Sequence, residues 1–361
     1  RFQRLVKVTL PLLIPAFSAG TILVALYVLS DFGVVSLLRY QTFVNTIYEQ
    51  MSGRYDYSSA ASLSTILIGF TLVLFIFQEN LKKRRQYTSP KNRACNLSLF
   101  KLGFLKWPAL FFSCSVVIIG LVLPLGILVY WFIQSFGSVG EAAIWGTTAK
   151  ELVRSGINSL SISALVATVA VVLALPLAYW SVRKPQSMIG KCLGWMSQSG
   201  IALPGVLIAL GLSLVFSRAA PKLSFSVIAL FFAFLVHFFA QGLQMTQAGL
   251  AQISEKLEEG SRMLGCSALK TFWRVTRPLL SPALSTAWIL VFLSSMRELP
   301  ASLLLRPAGF DPLTVRIWIA ASEGFYEQSA APALLVILLS LPLVVILTRN
   351  KYDYQSSEIL K

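Results

Sequence analysis

Residues 259–282 read EGSRMLGCSALKTFWRVTRPLLSP. This is the one long amphipathic segment in a largely apolar chain, and it lies between two charge-free runs. Just ahead of it, Ser254 stands where a helix cap belongs, with Glu255 in the first turn. Leu257, Met263 and Leu264 supply apolar positions, while Lys256, Glu258, Glu259 and Arg262 supply charge. Gly265 permits a left-handed stop. Ser267 caps a second short helix, and Pro278 marks where the next apolar run begins. The pattern predicts a short helix on a membrane surface, a turn, and an interfacial helix. Such a knob fits a groove on a soluble partner; an ordinary amphipathic interfacial helix has the same pattern.

The second half of the segment occurs twice. With a shift of 267 positions, residues 5–26 lie on residues 272–293 with 12 of 22 identities, among them Val8/Val275, Pro11/Pro278 and Pro15/Pro282. Repetition at that separation predicts two structurally related halves running in the same direction. A membrane protein with one such element per half is built to engage two copies of something.

The 361 residues are 56% hydrophobic and 13% charged, with mean hydropathy +0.71. Soluble domains carry about 25% charged residues, so the chain reads as a membrane protein. The net charge of +16 fits Lys and Arg collected in cytoplasmic loops better than a nucleic-acid surface. The four cysteines, Cys95, Cys114, Cys192 and Cys266, are widely spaced and imply neither a disulfide framework nor a zinc site. The single histidine, His237, lies in an apolar run with no second soft ligand nearby in sequence. It reads as a packed or pore-side residue rather than a metal ligand. No initiator Met or signal peptide is present, and the chain reads as a fragment lacking its N-terminal part.

Eight charge-free stretches are long enough to span a bilayer: 12–30, 57–78, 108–134, 156–182, 193–217, 224–246, 279–296 and 329–348. With residues 1–11 in the cytoplasm and strict alternation, the cytoplasmic segments 1–11, 79–107, 183–192, 247–278 and 349–361 hold 22 of the 31 basic residues. That asymmetry fixes the orientation. Residues 1–78 then form the C-terminal end of a first half, 79–107 a cytoplasmic linker, and 108–361 a complete second half. The fold expected is an all-α polytopic membrane protein.

The spacing Glu259-Gly260-Ser261, then Gly265, then Val275 and Pro278, resembles the EAA loop of ABC importer permeases. Gly260 and Ser261 stand where that family has alanines, and Arg277 departs from its consensus. Val8 and Pro11 match the same ending in the first copy. The strings at 30–50, 202–212 and 297–318 are similar to the fused permeases of ferric iron importers. Related permeases for phosphonates, thiamine or polyamines share much of this layout. The resemblance implies a type I importer permease (MetI-like) fold in a bacterial inner membrane, contacting lipid but no nucleic acid. It implies two ATPase subunits docked at the two loops, with ATP and Mg2+ on those subunits and no cofactor in this chain. It further implies a periplasmic binding protein at the outer mouth, Glu259 helping to seat the coupling helix, and Gly265 permitting its close approach. The chain holds no G-x-x-x-x-G-K-[ST] and is not expected to be an enzyme.

The spans themselves carry no acidic or basic residues, so charges at their outer ends become candidates for the substrate path. Asp31 lies at one such end and the pair Arg297-Glu298 at the other, and the repeat places Asp31 opposite Glu298. Interfacial anchoring is one reading of these charges. The other is that two carboxylates flank the outer mouth, where oxygen ligands suit a hard cation such as Fe3+. Arg39, Arg306 and Arg316 face an acidic binding-protein surface in this scheme, and Tyr48, Trp318 and Tyr326 read as belt aromatics. A secondary transporter remains a rival class, against which the charge-free spans argue.

Overall fold

The computed structural model describes residue 7 and residues 10–83, 103–138, 142–199 and 203–359. Among the described residues the regular elements are all helical. They run in order α1 Leu10–Ser30, α2 Gly33–Leu37, α3 Phe43–Ser52 and α4 Tyr57–Lys83, then α5 Lys106–Val117 and α6 Leu123–Ser138. There follow α7 Ala142–Arg183, α8 Met188–Ser199, α9 Gly205–Ala219 and α10 Val227–Ala251. The last are α11 Glu255–Met263, α12 Ala268–Thr271, α13 Arg277–Met296, α14 Pro300–Leu305, α15 Leu313–Ser322 and α16 Tyr326–Ile359.

Six helical stretches are long and apolar enough to cross a membrane: Tyr57–Phe77, Lys106–Ser135, Ala149–Arg183, Val227–Ala251, Ala268–Met296 and Tyr326–Thr348. Six of the eight expected spans are therefore found at the expected places. The stretch 12–30 is helical but counts only through its shorter apolar part, Gly20–Ser30. The expected span 193–217 is not one helix: Leu203 and Pro204 are non-helical, and α9 starts at Gly205. Proline has no N–H to continue a helical ladder and biases the residue before it away from the helical region. Charge-free composition cannot register that break.

Prolines leave a second mark. Two π-helical turns, Ile118–Val122 and Phe272–Thr276, sit two residues ahead of Pro124 and Pro278. The carbonyls that these prolines cannot satisfy, those of Gly120 and Arg274, lie inside the wider turns, where later N–H groups come within reach. Leu123 N–H accordingly donates to the Ile118 carbonyl, and Arg277 N–H to that of Phe272. So Pro278 opens α13 without separating it from α12, and Ala268–Met296 is one continuous rod.

The helices α7, α10 and α13 pack together into a core. Small residues set the crossings. A Cβ on Gly249 of α10 would collide with the Ala283 methyl of α13, and one on Gly242 would lie 3.4 Å from Val291 Cγ2. Ala167, Ala170, Ala233 and Ala287 are fully buried beside them. In lipid, where apolar surface gains little by leaving its solvent, such close backbone approach is what holds helices together. Trp288 Nε1 donates to Thr168 Oγ1 at 3.0 Å, tying α13 to α7.

Residues 32–48 meet α15 through aromatics. Phe32 packs on Tyr48 (centroids 4.9 Å apart) and on Trp318 (6.0 Å). Trp318 Nε1 donates to Ser36 Oγ at 2.9 Å. Tyr48 and Trp318 thus pack on each other and on Phe32, where α2, α3 and α15 come together, rather than standing as belt aromatics. Tyr326 stacks on Trp131 with centroids 5.2 Å apart.

Candidate functional site

At one end of α13 the amphipathic segment folds into a knob. Ser254 occupies the cap position of α11 but makes no side-chain cap hydrogen bond. Its φ of +83° shows that Gly265 takes the left-handed conformation that stops the helix. Ser267 caps α12 by accepting from the Lys270 N–H at 3.4 Å. Ser261 and Thr271 hydroxyls lie 3.1 Å apart and join the two short helices. At the tip, Met263 is 89% exposed and Leu264 87%. Leu269 and Trp273 are exposed as well, with the Arg277 guanidinium 4.7 Å from the Trp273 ring.

The knob is held from inside by Glu258, not by its neighbour. The Glu258 side chain is buried. Its Oε1 accepts from Arg183 Nη2 at 2.8 Å and from Thr276 Oγ1 at 3.1 Å, and its Oε2 accepts from the Tyr179 hydroxyl at 2.8 Å. Burial pushes this carboxyl up, but the Arg183 and Tyr179 hydrogen bonds, the Arg183 charge and the Thr276 bond outweigh it and hold it below the usual glutamate value. Arg183 also donates to the Ile253 carbonyl at 3.2 Å and lies 3.6 Å from Glu255. The four groups lash α11 to the Arg183 end of α7 and to the π turn ahead of α13.

The sequence-singled residues fall around this anchor. Glu259 is exposed, a position facing outward from the bundle. Gly260 is half-buried with open space where a Cβ would stand, which accommodates the alanine of the resembled motif. Val275 is half-buried and Pro278 exposed. Val8 lies outside the described residues, and of Pro11 only its place in the first turn of α1 is described.

At the other end of α13, 20 residues or about 30 Å away, lies a cavity of about 630 Å³. Asp31, Arg297 and Glu298 all line it, so the three charges chosen from sequence share one space. His237 lines it too, with Nε2 3.7 Å from Glu298 Oε2. A Cβ on Gly205, the first residue of α9, would collide with the Glu298 carboxylate, so the helix break at Pro204 makes room for that side chain. Gln241 and Gln244 line the cavity below His237. Of the three outer arginines, Arg306 is paired with Asp311 and Arg316 with Glu151. Only Arg39 of the three is exposed with no such pair among the described residues.

A family model described as "Binding-protein-dependent transport system inner membrane component" matches residues 170–350. The "Fe(3+)-transport system permease protein FbpB 2" of Haemophilus influenzae is 30% identical over 335 residues, 91% of this chain and 64% of that protein. The "Ferric transport system permease protein FbpB" of Actinobacillus pleuropneumoniae is 24% identical over 96% of this chain and 52% of its own length. A "Putative 2-aminoethylphosphonate transport system permease protein PhnV" of Salmonella typhimurium is 30% identical over 148 residues, 41% of this chain and 56% of that protein. The chain thus spans between about half and two thirds of the length of these relatives. The family match covers α13, the knob and most of the cavity wall, and with the six apolar helices it places the protein in the inner membrane as a multi-pass component. The chain belongs to the family of binding-protein-dependent transport system inner membrane components.

Proposed function

We propose that the chain is the transmembrane part of an ATP-driven importer that takes ferric iron from a periplasmic binding protein into the cytoplasm. The observation that carries this reading is the placement of an internally anchored, apolar-tipped knob and a charged cavity at opposite ends of one rod, Ala268–Met296. ATPase subunits dock on the knobs, one per half, with Met263 and Leu264 entering a groove and Glu259 facing the partner. ATP and Mg2+ bind on those subunits, and this chain carries no cofactor. Residues 1–78 act as the end of one half, 79–107 as the linker and 108–361 as the other half. ATPase closure pulls on α11, the Glu258 cluster passes that motion to α7 and α13, and their outer ends open or close the cavity. A ligand shifts such an equilibrium only by its differential affinity for the two states. Nucleotide supplies that difference at the knob, and the loaded binding protein supplies it at the mouth.

The iron assignment is supported by relatives named for ferric transport and by the two carboxylates in the cavity. A second reading, an anionic solute such as a phosphonate, is favoured by Arg297 in the same cavity and by the relative named for 2-aminoethylphosphonate. Reconstitution of the whole transporter with its ATPase and binding protein in liposomes tests both. ATP-dependent accumulation of ferric iron is expected. Uptake by the membrane chain without an ATPase partner, or uptake of a phosphonate and not iron, would overturn the reading.

A further inference from the structure

Helix α10 is apolar on most of its surface but carries His237, Gln241 and Gln244 at i, i+4 and i+7. That spacing puts them on one face, and the cavity lies against that face. His237 is ten residues into α10 from Val227, about 15 Å of helix. His237 thus sits inside the apolar helix Val227–Ala251 rather than at its end. An ionisable side chain there is costly and needs a partner or a role. Its Nε2 has Glu298 at 3.7 Å, too long for a good hydrogen bond. Its Nδ1 is buried with no hydrogen-bond partner among the described residues. Imidazole and carboxylate are brought together between α10 and the turn after α13; Glu298 Oε1 takes the Ala301 N–H at 3.5 Å, but the imidazole Nδ1 is left without a hydrogen-bond partner among the described residues, a condition that calls for a further group beside it.

We propose that His237 and Glu298 form a transit contact for the imported cation in the cavity at the end of α13 away from the knob, and that Gln241 and Gln244 are the next contacts along α10. This rests on the ferric iron reading above. A carboxylate oxygen and a neutral imidazole nitrogen are both donors for a transition-metal cation, and the amide oxygens below extend the donor row. Among the described residues no group of three or more His, Cys, Asp or Glu side chains is close enough to hold a metal. Two strong donors followed by amides suit passage, because a transported ion must bind well enough to enter and weakly enough to leave. Gly205 acts as a positioning residue, since a Cβ there would displace the Glu298 carboxylate.

The test uses the assembled transporter in liposomes, with ferric iron or redox-inert gallium(III) loaded on the binding protein. Uptake and binding-protein-stimulated ATP hydrolysis are read in parallel. Glu298→Gln, which keeps the side-chain shape, and His237→Leu are each expected to cut uptake of both ions by about tenfold or more, the loss of one charge-assisted contact. Stimulated hydrolysis should stay within about twofold, since neither residue lies at the knob. Gln241→Leu should give a smaller loss of the same kind, and Glu298→Asp should recover part of the uptake. If the wild type moves iron and Glu298→Gln does so within about twofold, the transit contact is wrong while the importer reading stands. If uptake and hydrolysis fall together in Glu298→Gln and are not recovered in Glu298→Asp, the pair is structural and the proposal fails. If the wild type moves neither ion, the iron reading itself fails.

Discussion

Glu258→Gln is the sharpest perturbation of the knob. The carboxylate takes three hydrogen bonds, from Arg183, Tyr179 and Thr276, in a buried setting. Glutamine keeps the shape and one acceptor oxygen but loses the charge opposite Arg183, whose side chain is only 12% exposed. Removing one partner of a buried ion pair costs about 3–5 kcal/mol. Arg183 retains the Ile253 carbonyl and Glu255 at 3.6 Å, which reduces the loss to about 2 kcal/mol, within the range for a charged hydrogen bond. If α11 opens locally, amide exchange across residues 255–263 should speed up by about thirtyfold, the factor equivalent to that energy. Exchange in α7 and α10 should not change. Hydrogen exchange on the detergent-purified protein reads this directly, and transport per ATP hydrolysed should fall in the reconstituted system. Unchanged exchange in α11, or equal acceleration throughout the bundle, would refute the claim that this cluster anchors the knob.

The depressed Glu258 value sets a pH dependence. Its stabilising effect is fully present above the usual glutamate range, about 4.3, and is lost as pH falls through its lower folded value. The exchange difference between wild type and Glu258→Gln should therefore be constant from neutrality to about pH 5 and shrink only in stronger acid; a difference already gone by pH 5.5 would contradict the assignment. At the helix crossing, Gly249→Ala should lower stability by about 1–3 kcal/mol, the usual cost of overpacking, because the new methyl meets the Ala283 methyl. Adding Ala283→Gly should return much of it, measured by thermal unfolding in detergent; no recovery would place the strain elsewhere.

Much of this was legible in the sequence where the signal is local. The left-handed stop at Gly265 and the Ser267 cap follow from residue type and position, and both are found. The internal repeat matches Asp31 with Glu298, and both line the same cavity with Arg297. Long-range pairing was not legible. Glu258 and Glu259 are adjacent acids on one helix, and only the position of Arg183, 75 residues away, selects the first as the inward one. The polar row His237, Gln241, Gln244 could have been noticed by its helical spacing in an apolar run, but Glu298 as the partner of His237 depends on how α10 and α13 cross. The break at Pro204 was hidden for a related reason: a charge-free stretch has the same composition whether it is one helix or two. Arg306 and Arg316 pair within the protein through Asp311 and Glu151, the first a contact within the turn after α14 and the second one between α15 and α7.

The central claim is that force enters through the knob. Leu264, 87% exposed at its tip, replaced by cysteine in a cysteine-free transporter, gives the direct measurement. With the ATPase carrying a cysteine in its surface groove, oxidation should yield a cross-linked product whose amount changes between the nucleotide-free and ATP-bound states, and uptake should stop when the link is closed and resume on reduction. A Leu264→Cys protein that never cross-links to the ATPase at any groove position, or that transports at full rate while linked, would contradict the account.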